Sequence, residues 1–203
     1  MTELTNERHK AASGAASTQG NVALLIIDMI NDLEFEDGDK LLELALPMAQ
    51  RLSALKDYFR EAGFPVIYAN DNFGKWKSDF RFQVEHCLED NVRGKPVVEL
   101  LLPSEEDYFV LKPKHSAFYA TTLDVLLDHL QITRLVITGV ATDICVLFTG
   151  NDAYMRDFQV AIPADCVAAN TPQRTEAALR LMQRVLKADI RESTELMREL
   201  GVV

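Results

Sequence analysis

The sequence predicts an α/β fold of three layers, in which helices cover both faces of a mostly parallel sheet of five or six strands with Rossmann-like topology. Two observations predict this fold. The apolar runs of the chain are continuous rather than alternating, which is typical of strands that are buried on both faces of a parallel sheet. Segments with helical spacing of apolar residues separate these runs. Strand and helix therefore alternate along the chain, which favours right-handed crossover connections.

Each predicted strand is a short apolar run bounded by turn residues. We predict strands at residues 22–29, 65–70, 108–112, 135–139 and 159–162, with a sixth near residues 189–191. The carboxyl ends of parallel strands lie along one edge of a sheet, and α/β folds of this kind bind their ligands there. Polar residues at the strand ends are therefore the first candidates for a functional site.

The helices between these strands follow from apolar periodicity. Met48, Leu52 and Leu55 recur on one face, and because proline fits best in a first turn, Pro47 places the expected start of this helix around Ala45. Further helices are predicted at residues 80–88, 122–130, 144–155 and 173–186. The less regular segment between residues 72 and 106 is long for a connection, and long loops in compact domains are often functional.

Size and charge limit the possible functions. The chain has 203 residues, an apolar fraction of 48% and a formal charge of -10. We expect a flexible polar tail at residues 1–20 and one domain at residues 21–203. An acidic surface repels phosphate backbones and anionic lipids, so neither nucleic acid nor membrane is an expected partner.

The cysteine content indicates a reducing compartment. Cys87, Cys145 and Cys166 are odd in number and irregularly spaced, which is a poor basis for disulfides. The polar N-terminus lacks the apolar core of a signal peptide, and no apolar run reaches the roughly 20 residues of a membrane span. We therefore expect a cytoplasmic protein.

A chemically reactive side chain lies at the end of three predicted strands. Asp28 ends the first strand, Lys112 ends the third, and Cys145 follows the fourth at the expected start of a helix. A carboxylate at the end of a buried strand needs a partner, because desolvating an unpaired charge is costly. The helix N-terminus and a nearby lysine are expected to lower the pKa of the thiol. The three together would form a nucleophile with acid–base assistance.

Each of these residues also has a structural interpretation. Cys145 alone fits a helix packed on the core, Asp28 fits a turn cap, and Lys112 fits a surface position. Asp143 is expected to cap the helix that carries the cysteine. Spacing alone leaves the catalytic and the structural interpretations open.

Three segments resemble the isochorismatase-like cysteine hydrolases, a family that includes nicotinamidases, N-carbamoylsarcosine amidohydrolases and ureido-group hydrolases. They are LLIIDMINDL at residues 24–33, VLKPKHSAFYATTL at residues 110–123 and LVITGVATDICVLFTGNDAY at residues 135–154. The third segment is the most specific, and the order of the three strengthens the resemblance. It extends over roughly residues 20–190 and implies a six-stranded parallel sheet.

The resemblance implies a role for each residue at the strand ends. Asp28 corresponds to the general base, Lys112 to the group that stabilises charge, and Cys145 to the nucleophile. It also implies a cis peptide bond between Val140 and Ala141, with the N–H groups of Ala141 and Cys145 forming an oxyanion hole.

One departure from the family concerns a metal site. Nicotinamidases of this family bind a metal through an Asp-x-His pair and a further histidine after the second strand. Residues 70–76 retain Asp71 but contain no histidine. We therefore expect no bound metal, and the missing histidines argue against nicotinamidase activity. No glycine-rich loop follows the first strand, so a nucleotide-binding domain is not predicted. We expect no cofactor.

Residues near the predicted loops are candidates for substrate contacts, and the resemblance implies a homo-oligomer, a dimer or tetramer. The candidates are Phe35, Asn72, Phe73, Trp76 and Phe118. His115 is excluded, because its ring points away from Lys112 if the third strand continues past that residue.

The leading prediction is a cysteine-dependent hydrolase that cleaves a C–N bond of a small amide, carbamoyl or ureido substrate through a thioester acyl-enzyme. One alternative is an isochorismatase-type vinyl ether hydrolase with Asp28 as general acid. Because family members with that activity often lack the cysteine, Cys145 favours thiol chemistry. The other alternative is a member of the family that binds a small molecule without catalysis.

Overall fold

The strands form one sheet in which every pairing is parallel. The computed structural model describes residues 21–72 and 79–201, so the predicted tail at residues 1–20 lies outside it. The strands are β1 (Val22–Ile27), β2 (Val66–Asp71), β3 (Tyr108–Lys112), β4 (Arg134–Val140), β5 (Gln159–Ala161) and β6 (Val167–Ala168). Their order is β3-β2-β1-β4-β5, and β6 pairs with the carboxyl end of β4. The predicted six-stranded parallel sheet is confirmed.

The central strand β1 shows why its apolar run is continuous. All six of its residues are buried. Successive side chains of a strand point to opposite faces, so Leu24 and Ile26 pack into one apolar core while Leu25 and Ile27 pack into the other. Both faces of β1 are therefore covered, as the sequence pattern predicts.

Helices cover the two faces of the sheet and complete the three layers. They are α1 (Gly38–Glu61), α2 (Phe80–Glu89), α3 (Lys95–Leu100), α4 (Leu123–His129), α5 (Leu147–Tyr154), α6 (Pro172–Val185) and α7 (Ser193–Glu199). Helices α1, α2, α3 and α7 pack on one face, and α4, α5 and α6 pack on the other. Within the described ranges, no helix has both the length and the apolar character that crossing a membrane requires.

The sixth strand is not where the sequence pattern places it. The segment near residues 189–191 contributes only one bridge, between Asp189 and Ala161. Asp189 instead forms ion pairs with Arg134 and Arg191, and such charged side chains do not suit a strand buried on both faces. The sixth strand is β6, which continues the path of β5 along β4 after an interruption at Pro163, a residue without an N–H to donate.

The first helix begins seven residues earlier than Ala45, at Gly38, and Pro47 lies in its interior. Pro47 cannot donate to the carbonyl of Glu43, but both residues are exposed, so water can satisfy that carbonyl. The sequence pattern does not predict α3 and α7, two short helices of 6 and 7 residues.

The strand order places a crevice between β1 and β4. The chain builds outward from β1 through β2 to β3 and then crosses to β4 on the other side of β1, and ligands of α/β folds bind at such a reversal. Gly139 brings the two strands together there, in register with Ile27. Its φ of +103° disfavours other residues, and a Cβ at this position would lie 2.1 Å from the Ile27 carbonyl oxygen.

Candidate active site

Three strand ends bring Asp28, Lys112 and Cys145 together in the crevice. Lys112 Nζ lies 2.9 Å from Asp28 Oδ2 and 3.6 Å from Cys145 Sγ. The Cys145 thiol also hydrogen-bonds to the Asp28 side chain. The Lys112 side chain is fully buried and the Asp28 side chain is 9% exposed, so the two charges lie in a medium that screens them poorly. A nucleophilic sulfur, a base and a cation therefore share one small volume.

Local backbone geometry directs the Asp28 carboxylate into this cluster. Asp28 follows β1 with a φ of +53°, a left-handed conformation that aspartate tolerates better than most residues. Its backbone N–H donates to the Ala69 carbonyl, and its Oδ1 accepts the N–H of Asp71 at 2.7 Å. The end of β2 thus fixes the orientation of the Asp28 side chain, which directly follows β1.

Cys145 lies in a π-helical turn at Thr142–Val146, between β4 and α5. The peptide bond that enters this turn, Val140–Ala141, is cis. The Ala141 carbonyl accepts the N–H groups of both Ile144 and Val146. Residues of β4 and α5 therefore hold the sulfur at the carboxyl end of the sheet, and Cys145 is only partly buried.

The charged pair shifts the pKa values of its own members. Burial raises the pKa of Asp28, although Lys112, the Cys145 hydrogen bond and the Asp71 N–H act in the opposite direction. Burial disfavours the charge of Lys112, but Asp28, followed by Cys145 and Asp71, raises its pKa above the ordinary value. Asp28 is consequently a stronger base than an exposed carboxylate, and Lys112 stays protonated.

The thiol of Cys145 differs from the sequence-based expectation. Burial and the neighbouring Asp28 carboxylate raise its pKa to about 12, and Lys112 offsets only part of this increase. The expectation of a lowered pKa is wrong because it counts the lysine and the helix end but omits burial and the carboxylate. In the resting protein the sulfur is a protonated thiol next to a base, not a preformed thiolate.

The end of β2 adds a second carboxylate and an amide to the cluster. Asp71 Oδ2 lies 3.7 Å from Lys112 Nζ. The Asn72 N–H donates to the Lys112 carbonyl at 3.0 Å, and Asn72 is buried. Asn72, a predicted substrate contact, therefore lies beside the cluster, whereas Phe73 and Trp76 lie outside the described residues.

The two remaining predicted aromatic contacts occupy different surroundings. Phe35 is half-exposed in the loop that leads into α1. Phe118 is buried in the apolar core, where its ring packs near Phe158 and the Arg156 guanidinium lies 4.7 Å from its centroid. These contacts give Phe118 a place in the packing of the turn between α5 and β5. A role of either ring in substrate binding stays a prediction.

His115 is a site residue that the sequence pattern misses. Its Nδ1 lies 3.9 Å from Cys145 Sγ, and its ring packs against Phe148 with centroids 5.5 Å apart. The exclusion of His115 assumes that β3 continues past Lys112, but β3 ends at that residue. The proline at position 113 could have shown this, since proline tends to end a central strand.

Side-chain hydrogen bonds turn the segment after β3 back toward α5. Ser116 Oγ donates to the Asp152 carboxylate, and the Ala117 N–H donates to Thr149 Oγ1 at 3.0 Å. Both acceptors belong to α5, the helix that directly follows the Cys145 turn. The helix that positions the sulfur therefore also positions His115 above it.

Asp143 does not cap the helix that follows it, because the turn at Thr142–Val146 has no side-chain cap. Its Oδ2 instead pairs with Nε of Arg174 at 2.5 Å. Arg174 is near the start of α6, so this ion pair ties the cysteine turn to a neighbouring helix.

Among residues 21–72 and 79–201, no group of three or more histidine, cysteine or acidic side chains is arranged to hold a metal ion. His86 pairs with Asp32 and Asp90. Asp71 has Lys112 as a neighbour, and an ammonium group disfavours a cation at the same place.

Comparisons with known proteins agree with this geometry. The family model for the Isochorismatase domain matches residues 22–192. An uncharacterized isochorismatase family protein, YaaI of Bacillus subtilis, is 42% identical over 180 residues, which cover 89% of this chain and 98% of that protein. A ureidoacrylate amidohydrolase of Cronobacter turicensis is 26% identical, and the alignment covers 77% of this chain and 79% of that protein.

The fold of this chain is also similar to that of a related protein of known structure. The N-carbamoylsarcosine amidase of Thermoplasma acidophilum is 28% identical with a TM-score of 0.63, and the alignment covers 85% of this chain and 96% of that one. The family model spans all six strands and the three clustered side chains. The chain belongs to the isochorismatase family of hydrolases.

Proposed function

We propose that the protein is a cysteine-dependent hydrolase that cleaves the C–N bond of a small amide, carbamoyl or ureido compound through a thioester acyl-enzyme. The observation that carries this proposal is the contact of Cys145 Sγ with both Lys112 Nζ and the Asp28 side chain. The substrate classes are those of related proteins, since one relative is a ureidoacrylate amidohydrolase and another is an N-carbamoylsarcosine amidase.

The first half of the proposed reaction forms the acyl-enzyme. Asp28 takes the thiol proton as Sγ bonds to the substrate carbonyl carbon, and the N–H groups of Ala141 and Cys145 hold the oxyanion. Because the thiol pKa is about 12, this proton moves during the attack rather than before it. Asp28 then protonates the leaving nitrogen, the C–N bond breaks, and ammonia or an amine departs.

Lys112 has an electrostatic role in this half-reaction. A sulfur that loses its proton becomes negative 3.6 Å from the buried ammonium group, which stabilises that charge as it develops. Lys112 also keeps Asp28 in place through their ion pair at 2.9 Å. The second half-reaction adds water to the thioester, breaks the C–S bond and restores the thiol.

An ammonia-release screen tests the proposal. The wild-type protein is incubated with primary amides, N-carbamoyl amino acids and ureido acids, and the best substrate is then tested with Cys145→Ala. We expect the variant to lose turnover entirely. Cys87→Ala is the matched control, because Cys87 is a buried thiol outside the site.

The same variant separates the alternatives. Protonation of a vinyl ether by Asp28 needs no thiol, so turnover of isochorismate that survives in Cys145→Ala would favour that reaction. Calorimetric binding without turnover across the whole panel would favour a non-catalytic binding protein. Either result would replace the proposed function.

A further inference from the structure

We propose that His115 is a second catalytic residue, which acts as the general base for the water that hydrolyses the acyl-enzyme on Cys145. This inference rests on the proposed function, because it needs the thioester. It assigns the two halves of the reaction to different bases, with Asp28 serving the attack of the thiol and His115 serving the attack of water.

The position of His115 supports this division. Its Nδ1 is 3.9 Å from Cys145 Sγ, a reacting atom, and the residue is exposed to solvent. Asp28 lies on the buried side of the same sulfur, where its side chain is only 9% exposed. Solvent therefore reaches the His115 imidazole, whereas it scarcely reaches the Asp28 carboxylate.

The hydrogen bonds of Asp28 also support the assignment of the two half-reactions to different bases. Its Oδ1 accepts the Asp71 N–H at 2.7 Å, and its Oδ2 faces Lys112 Nζ at 2.9 Å. Both oxygens thus have donors before a water molecule arrives. The ring of His115 packs against Phe148, and this contact occupies neither ring nitrogen.

Hydrogen bonds anchor the loop that carries His115, which favours a catalytic role over that of a mobile surface residue. Ser116 and Ala117, the two residues that follow it, are both bonded to α5. Lys112 Nζ also donates to the carbonyl of Lys114 at 3.2 Å, which fixes the loop on the other side of His115. An exposed ring held from both sides over a reactive sulfur is suited to accepting a proton there.

The proposed step balances in atoms and protons. Neutral His115 takes a proton from water as the water oxygen bonds to the thioester carbonyl carbon. The tetrahedral intermediate collapses, the C–S bond breaks, and the imidazolium returns its proton to the Cys145 sulfur. The products are a carboxylic acid, or a carbamic acid from a ureido substrate, and the resting thiol.

Burst kinetics with p-nitrophenyl acetate test this assignment, because the ester acetylates a reactive cysteine without needing protonation of its leaving group. The burst of p-nitrophenolate reports the acetylation of Cys145, and the later steady rate reports hydrolysis of the acetyl thioester. For His115→Asn we expect an unchanged burst and a steady rate lowered by about 100-fold or more, the usual contribution of a general base. His129→Asn is the matched control, since His129 is exposed at the end of α4.

Three further measurements separate a catalytic role of His115 from a structural one. Hydroxylamine cleaves thioesters without a general base, so it should deacylate the His115→Asn and wild-type acetyl-enzymes at the same rate. Added imidazole should restore part of the steady rate of His115→Ala, after subtraction of its reaction with the ester. Peptide mapping should find the accumulated acetyl group of the variants on Cys145.

Three results would overturn the inference. If the burst and the steady rate fall together in His115→Asn, His115 assists the formation of the acyl-enzyme rather than its hydrolysis. If the steady rate is unchanged, His115 has no part in the reaction. A hydroxylamine rate lowered in the variant would indicate a damaged site. Ammonia release that survives in Cys145→Ala would refute the proposed function itself, and this result is distinguishable because the screen does not involve His115.

Discussion

The ammonium group of Lys112 lies 2.9 Å from the carboxylate of Asp28, and neither side chain has more than 9% of its surface exposed. Asp28 directly follows β1 and Lys112 is the last residue of β3, and β2 separates those two strands in the sheet. Because β2 ends level with them, its Asp71 N–H and carboxylate complete the surroundings of the pair. The position of the charged pair beside the Cys145 thiol therefore depends on the packing of β1, β2 and β3 in the sheet.

Removing the lysine should destabilise the protein strongly. Lys112→Met leaves the Asp28 carboxylate buried without its cation, and loss of one partner of a buried pair costs about 3–5 kcal/mol in the free energy of unfolding. Urea unfolding measures this loss. Lys40→Met is the control, because Lys40 pairs with Asp37 in the exposed first turn of α1 and such pairs contribute at most about 1 kcal/mol. Equal losses for the two variants would contradict the buried pair.

The alkylation rate of Cys145 should keep rising with pH far above neutrality. The reactive form is the thiolate, and with a thiol pKa of about 12 only about one sulfur in 10,000 is ionised at pH 8. Iodoacetamide labelling followed by peptide mass spectrometry measures the rate. Asp28→Asn should move the profile to lower pH because it removes a neighbouring negative charge, and Lys112→Met should move it to higher pH. A plateau near the ordinary pKa of ~8.5 in the wild type would contradict the described electrostatics.

Gly139→Ala should damage both stability and activity. The methyl group would lie 2.1 Å from the Ile27 carbonyl oxygen, next to Asp28, on a backbone with a φ of +103°. Strain and overpacking together predict a loss of about 3 kcal/mol or more in the free energy of unfolding. Gly63→Ala is a close control, since its φ is +72° but no atom lies within 4 Å of the added carbon. Strain alone should cost about 1–2 kcal/mol there, so a similar loss at both glycines would refute the close approach of β1 and β4.

Arg174→Gln should lower activity with little effect on stability. Its ion pair with Asp143 is half-exposed and contributes at most about 1 kcal/mol to folding, yet it fixes the turn that carries Cys145. We expect a several-fold fall in kcat with KM almost unchanged, because the sulfur would be less well positioned. Arg180→Gln removes an exposed pair with Glu176 on the same helix and should leave kcat unchanged. Identical kcat values for the two variants would exclude a positioning role for Arg174.

The fold and the three central site residues could be predicted because their signals are local. A continuous apolar run such as β1 records burial on both faces, and parallel strands bring their carboxyl ends together whatever the details of packing. Asp28, Lys112 and Cys145 each follow such a run directly. Their convergence thus needs only the strand order, and the observed distances agree with it.

The features that were mispredicted depend on long-range packing. The raised pKa of Cys145 arises from burial and from a carboxylate 117 positions away in the chain, neither of which appears in the local motif. His115 reaches the sulfur only because hydrogen bonds to α5 turn its loop back, and those bonds join residues that are 32 and 36 positions apart. The interruption between β5 and β6 contains Pro163 and Asp165, and the Asp165 carboxylate accepts hydrogen bonds from Ser193, which is 28 positions away.

The covalent intermediate tests the central claim most directly. The wild-type protein should be quenched with acid during turnover of the best amide from the ammonia screen, and its intact mass and peptide map should be measured. We predict an added acyl group on the peptide that contains Cys145, absent from Cys145→Ala. Turnover without any covalent adduct, or an adduct on Cys87 or Cys166, would contradict nucleophilic catalysis by Cys145.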